Sequence, residues 1–100
     1  MSRRLVVRPA ARIELAEASD WYDENREGLG GDFIRAFETA SAAIVRNPFQ
    51  YQIVYGKARR APLRPFQYGL IYTVSDDEVV VVACMHGRRD PRRWQERLRE

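Results

Sequence analysis

Seven consecutive apolar residues, Val79 to Met85, constrain this chain more than any other feature. The run is rich in β-branched residues and sits between the polar turn Ser75-Asp76-Asp77-Glu78 and the pair His86-Gly87, so it reads as a strand. With no polar residue alternating through it, neither face suits water. The strand must be central and covered on both faces, or covered on one face and by an oligomer contact on the other. It then runs into His86-Gly87-Arg88-Arg89-Asp90-Pro91-Arg92-Arg93-Trp94, which holds the only histidine, four arginines and a tryptophan. Unpaired guanidinium groups are too costly to desolvate for this second half to follow the strand inward. A stiff element thus presents a dense cationic tip, which is how a site for an anionic partner is built.

The rest of the chain supplies what can cover such a strand. Leu5-Val6-Val7 reads as a short first strand, and Pro9 suits the first turn of a helix. Ala11, Leu15, Ala18 and Tyr22 recur on one helical face, with Glu14, Glu17, Asp20 and Asp23 on the others. Gly28-Leu29-Gly30-Gly31 ends that helix through left-handed turn geometry. Asp32 restarts a second helix, whose apolar face is Phe33, Phe37, Ala40 and Ile44, and Asn47-Pro48 stops it. The two form an antiparallel helical hairpin with apolar stripes sharing a core.

After Pro48 the period changes. Gln52–Tyr55 and Ala58–Leu63 are strand candidates, with Pro62 and Pro65 marking an edge or a bulge. Tyr68, Leu70, Tyr72 and Val74 alternate in a third strand, Val79–Met85 is its partner, and residues 91–99 form a last short helix in which Trp94 docks on the sheet. The expected fold is α+β: an N-terminal strand, an antiparallel helical hairpin packed on one face of a small antiparallel sheet, and a short C-terminal helix, in a single domain spanning 1–100.

Composition narrows the function. One histidine and one cysteine fall short of a zinc ligand set, and Cys84 sits inside the apolar strand as a small hydrophobe. The glycine cluster follows a helix and lacks the Lys-Ser/Thr of a P-loop, so neither a metal nor a phosphate-binding cofactor is expected. No run approaches the roughly 18 apolar residues of a membrane span. The start of the chain is too short and too charged for a signal peptide, so a cytoplasmic location is expected. The net charge of +3 is uneven: residues 1–50 carry −1 and residues 51–100 carry +4. That asymmetry points to an anionic partner for the C-terminal half.

Taken in order, the Leu15…Trp21-Tyr22 segment, Gly28-Leu29-Gly30…Phe33, Asn47-Pro48, Arg64-Pro65-Phe66-Gln67-Tyr68…Ile71-Tyr72-Thr73-Val74 and His86-Gly87-Arg88-Arg89-Asp90-Pro91…Trp94 resemble the RelE/ParE superfamily of bacterial toxins from type II toxin–antitoxin modules. The resemblance spans nearly the whole chain. The tail looks more like the ParE-like branch and its plasmid-stabilisation relatives. It implies a toxin that poisons DNA gyrase, is neutralised by a cognate antitoxin and assembles with it as a hetero-oligomer. A ribosome-dependent mRNA endonuclease of the RelE type, or a non-toxic basic module of the same fold, are the alternatives. An acidic, partly apolar antitoxin segment is expected to cover the helical hairpin or to extend the sheet edge near Ala58–Leu63.

If the chain cleaves RNA without a metal, it needs a base, a phosphate clamp and an acid. Arg64 and Arg88 fit the clamp and His86 the proton transfer, with Arg89 as a further clamp. Tyr68 or Tyr72 would position a nucleotide. For a target or nucleic acid, the candidate binding residues are Arg88, Arg89, Arg92, Arg93, Trp94 and Tyr68. Trp94 stands where RelE-like nucleases commonly carry a tail tyrosine, and an indole cannot exchange a proton there. Structural roles stay open for the same residues: His86 as a hydrogen-bonded strand end, Arg88 and Arg89 in salt bridges to Asp90 or the Asp76-Asp77-Glu78 turn, and Arg92, Arg93, Arg97 and Arg99 as a solvated helix face. Trp21 and Tyr22 are expected to make core and hairpin contacts.

Overall fold

The structure, a computed structural model, describes residues 3–99. A first strand β1 (Arg4–Val7) leads into helices α1 (Pro9–Asn25) and α2 (Leu29–Arg46). Strands β2 (Ile53–Tyr55), β3 (Ala58–Pro62), β4 (Tyr68–Val74) and β5 (Glu78–His86) follow. The tail forms a short helix α3 (Arg92–Gln95) and a 3-10 turn over Glu96–Arg99. The strands make one mixed sheet in the order β1-β5-β4-β3-β2. β2 to β5 are antiparallel neighbours, and β1 lies parallel to β5 with Leu5 beside Val79 and Val7 beside Val81.

The apolar run of β5 is central and covered on both faces. On one face Val79, Val81 and Cys84 pack with Leu15, Ala18, Phe33, Ile44 and Tyr72 under the helical hairpin. On the other, Val82, Ala83 and Met85 pack with Ala58, Ile71 and Trp94 under the tail. Two consecutive residues, Val82 and Ala83, share a face because Ile71 pairs with Ala83 and Tyr72 with Val81, which leaves Val82 as the extra residue of a bulge. The bulge shifts the alternation by one, so that Cys84 rather than Ala83 faces the helices.

The hairpin turn is built differently from the sequence expectation. Only Gly28 in the cluster is left-handed, with φ 90°, and α2 begins directly after it at Leu29, not at Asp32. Gly30 and Gly31 are helical. A Cβ on Gly30 would stand 2.5 Å from the Ser19 carbonyl oxygen and 2.7 Å from Asp23 Cγ, so glycine there permits the close crossing of the two helices. The Gly30 N–H donates to Asp23 Oδ1 at 2.6 Å. Asp23, expected on an outer face of α1, therefore satisfies an orphan amide in the first turn of α2 and lays its charge at the favourable end of that helix.

Two further expectations are corrected by the packing. Ala58–Leu63 is not a sheet edge: β3 lies between β2 and β4, because the chain doubles back through Gly56 (φ 55°) and leaves β2 outermost. Trp21 is 55 % exposed and only its neighbour Tyr22 enters the core. Tyr22, Phe33, Phe66 and Tyr68 form a ring cluster with centroids 4.7–6.0 Å apart, tying α1, α2 and β4 together.

The two helical glycines of α2 predict opposite outcomes. Gly30→Ala drives a methyl into the backbone of α1 and should lower the unfolding free energy by about 2 kcal/mol. Gly31, where the nearest atoms to an added Cβ lie at 3.7 Å on the Arg35 side chain, should tolerate alanine with a gain of about 0.5 kcal/mol from helix propensity. Urea unfolding of the two variants checks the sign of each.

Candidate functional site: the arginine tip and its cleft

β1 covers the outer edge of β5 only as far as Val81, whose carbonyl accepts the Arg8 N–H at 3.0 Å. Beyond it two side chains take over the edge. The Cys84 N–H donates to Glu14 Oε1 at 3.0 Å, and Arg97 Nη1 donates to the Val82 carbonyl at 2.9 Å. Arg97 and Glu14 also meet through two hydrogen bonds, at 3.0 and 2.8 Å, with side chains 19 % and 14 % exposed. Glu14 was expected on a solvated face of α1, and Arg97 on that of the tail helix. Both instead stop the unpaired half-edge of β5, fastening the tail to α1 and to the sheet. With Trp94 docked on the sheet at 6 % exposure, this clasp holds the segment between residues 86 and 94 at both ends.

Within that segment His86 closes β5 opposite Tyr68, the two rings meeting edge to face at 5.3 Å. His86 Nδ1 accepts the Arg88 N–H at 3.1 Å, and the His86 carbonyl accepts the Arg89 N–H at 3.0 Å. Nδ1 of the ring is thereby engaged in the turn. Asp90 is taken by Arg92, which donates from Nε and Nη2 at 2.8–3.2 Å, and these bonds hold the Asp90 carboxyl below its usual range. Glu78 pairs with Arg4. Neither carboxylate is left for Arg88 or Arg89, which stay exposed beside His86.

A cleft of about 630 Å³ opens between α1 and the end of β5. His86, Tyr68, Arg89 and Arg93 line one side, and Glu17 and Trp21 the other. The structure therefore gathers His86, Tyr68, Arg89 and Arg93, with Arg88 in the same turn. Arg92 is committed to Asp90, and Trp94 is turned into the core. Arg64 is not brought to the cleft. It precedes a cis peptide bond to Pro65 and borders a separate groove of about 960 Å³ between α2 and the β2–β3 side of the sheet. Among the described residues no three His, Cys, Asp or Glu side chains cluster as a metal site. Burial, with Glu14 nearby, pushes the Cys84 thiol up to about 12, and burial raises the Tyr72 phenol to about 12, its hydroxyl donating to the Pro48 carbonyl at 2.6 Å. Tyr68 is also raised, by burial first. None of the three is a nucleophile or base at neutral pH.

A small mixed sheet with a helical hairpin on one face and an arginine-rich tail on the other defines a compact α+β module. The chain belongs to the ParE toxin family: a family model described as "ParE toxin of type II toxin-antitoxin system, parDE" matches residues 5–91. The chain is 26 % identical over 92 residues to Toxin ParE2 of Mycobacterium tuberculosis, in both the CDC 1551/Oshkosh and the H37Rv strains, covering 91 % of this chain and 88 % of the relative. Its fold matches a solved chain described as the chromosomal ParDE TA system from P. aeruginosa with a TM-score of 0.74 and 11 % identity, over 84 % of this chain and 95 % of that one.

Both buried acids keep their protons in the folded protein at pH values where the unfolded chain loses them. Their contribution is fully present below the unfolded pKa, 9.0 for Cys84 and 10.0 for Tyr72, and is lost as pH rises toward about 12. Urea midpoints should fall between pH 8 and pH 11, and Cys84→Ala should flatten the early part of that fall. In native protein at neutral pH the thiol should stay unmodified by a disulfide reagent that labels it at once in urea.

Proposed function

We propose that this chain is the toxin of a type II toxin–antitoxin module that arrests growth by binding DNA gyrase through its arginine tip. Membership of the ParE family supports the toxin class. The observation that favours binding over RNA cleavage is the dispersal of the nuclease set. Arg64 borders a different concavity from His86, the indole of Trp94 is inside the core, and His86 Nδ1 is engaged by the Arg88 amide. What remains at the tip is a rigid display of Arg88, Arg89 and Arg93, suited to the anionic surface of a macromolecular target.

The antitoxin, on this reading, lays an acidic amphipathic segment in the groove between α2 and the β2–β3 side of the sheet. That groove has a partly apolar floor, including Leu29, Ala36 and Val54, and bears Arg26, Arg60 and Arg64. β2 beside it carries Ile53, Val54 and Tyr55, all 40 % exposed or more, on the outermost strand. An exposed apolar edge is one a partner strand covers. The complex is a cytoplasmic hetero-oligomer.

Purified protein should inhibit gyrase supercoiling, and Arg88→Ala/Arg89→Ala should weaken inhibition roughly tenfold, the equivalent of about 1.4 kcal/mol. Transcript ends mapped after induction should show no codon-dependent cleavage. Unchanged supercoiling at stoichiometric excess, with cleaved messages, would transfer the function to the ribosome. Normal growth on expression without a partner would favour the non-toxic module.

A further inference from the structure

Trp21 is the least expected side chain at the cleft beside the tip. Tryptophan carries a large apolar surface, yet this one is 55 % exposed. Tyr22 meets it edge to face, with centroids 5.0 Å apart, and Trp21 borders the cleft. Glu17 stands one helical turn earlier on α1 and lines the same wall. Glu14 also reaches the cleft, but Arg97 and the Cys84 amide hold its carboxylate, so Glu17 is the acid open to a ligand. Arg89 and Arg93 line the opposite wall. The walls carry opposite charge, and among the described residues no ion pair joins Glu17 to either arginine. Both walls nonetheless act on one phenol: burial raises Tyr68 first and Cys84 adds to the rise, while Arg89 lowers it and Glu17 raises it. The space left open, about 630 Å³, is of the size that takes a small ligand.

We propose that this cleft binds a guanine nucleotide, with the base stacked on Trp21, its N1–H and 2-amino group donating to the Glu17 carboxylate, and its phosphate held by Arg89 and Arg93. An exposed indole is a stacking platform for any base. A carboxylate only accepts, so it selects a base edge with two adjacent donors. Guanine presents that edge. Adenine and cytosine set a ring-nitrogen lone pair beside their amino group, and uracil sets one N–H between two carbonyls. The two guanidinium forks match phosphate oxygens, so side chains serve here where a glycine-rich loop is absent. A purely anionic ligand, an acidic peptide included, gains at the arginine wall and is repelled at Glu17. A nucleotide is anionic at one end and a hydrogen-bond donor at the other, as the two walls require. The site goes beyond the gyrase reading and does not rest on it. A free nucleotide and a guanine within a single strand share this chemistry.

Calorimetric titration of the whole protein tests each contact separately. GMP should bind about tenfold more tightly than AMP, the discrimination that a bidentate base contact supplies. IMP, which lacks the 2-amino group, should fall between them. Glu17→Gln should remove most of that preference and leave AMP binding in place. Arg89→Ala/Arg93→Ala should weaken GMP about tenfold and leave guanosine, which has no phosphate, unaffected. Trp21→Ala should weaken all three nucleotides by a similar factor, since stacking does not read the base edge. GMP should also quench tryptophan emission in the native protein and not in Trp21→Phe, because Trp94 is buried. Arg99→Ala, outside the cleft, should bind as the native protein does. A thymidine oligonucleotide with one central guanine, set against one with adenine, separates the two sources. A Glu17-dependent preference seen only in the strand keeps the site and assigns it to a guanine within a chain. No Glu17-dependent preference for guanine in either form overturns the proposal. So does inorganic phosphate that binds as tightly as GMP, which would reduce the cleft to an anion patch. A protein that passes this test and leaves gyrase untouched keeps the nucleotide site and loses only the gyrase target.

Discussion

Everything at the functional end of this protein depends on β5 being dry on both faces. A run of apolar residues from Val79 to Met85 is stable only between two apolar layers. The hairpin of α1 and α2 supplies one, and the tail, through Trp94, supplies the other. Burying one large side chain of this kind contributes roughly 1.5–3 kcal/mol, so both layers are needed to outweigh the ordering of strand and tail. The arginine tip is the place where that buried strand leaves the core. Its two ends are held, His86 against Tyr68 of β4 and Trp94 within the tail-side core.

The elements were largely legible in the sequence because each is written in a distinct period. The helical faces through Leu15 and Phe33, the alternation from Tyr68 to Val74 and the unbroken run of β5 all lie where expected. The less legible features are those in which one element reaches across to another. Asp23 and Gly30 read as a surface charge and a turn glycine, yet they form a cap and a close crossing between two helices. Glu14 read as solvated because its position on α1 carries no sign of the bare half-edge of β5 beneath it. That bare edge follows from the parallel seat of β1, which a short strand far away in the chain does not announce.

The site followed the same division. His86, Arg88, Arg89, Arg93 and Tyr68 converge because they lie on one strand end, its partner and the turn that follows. Arg64 diverges because it belongs to the loop between β3 and β4 and borders the α2 groove. The close approach of the Arg60 side chain to Gly69 was not read from the sequence, although a glycine in mid-strand is itself a sign that something approaches the backbone closely. The exposed Trp21 was missed for the opposite reason, since a tryptophan next to a core tyrosine reads as core.

The clasp between Glu14 and Arg97 is the joint on which the presentation of the tip rests. Amide hydrogen exchange measures it most directly. In the native protein the Cys84 amide should exchange as slowly as that of Val81, though no strand pairs with its edge of β5. In Arg97→Met the Cys84 amide and the amides of α3 should lose protection together while Val81 keeps its own. If Cys84 and the tail remain protected in that variant, the clasp does not hold the tip and this account of its rigidity is wrong.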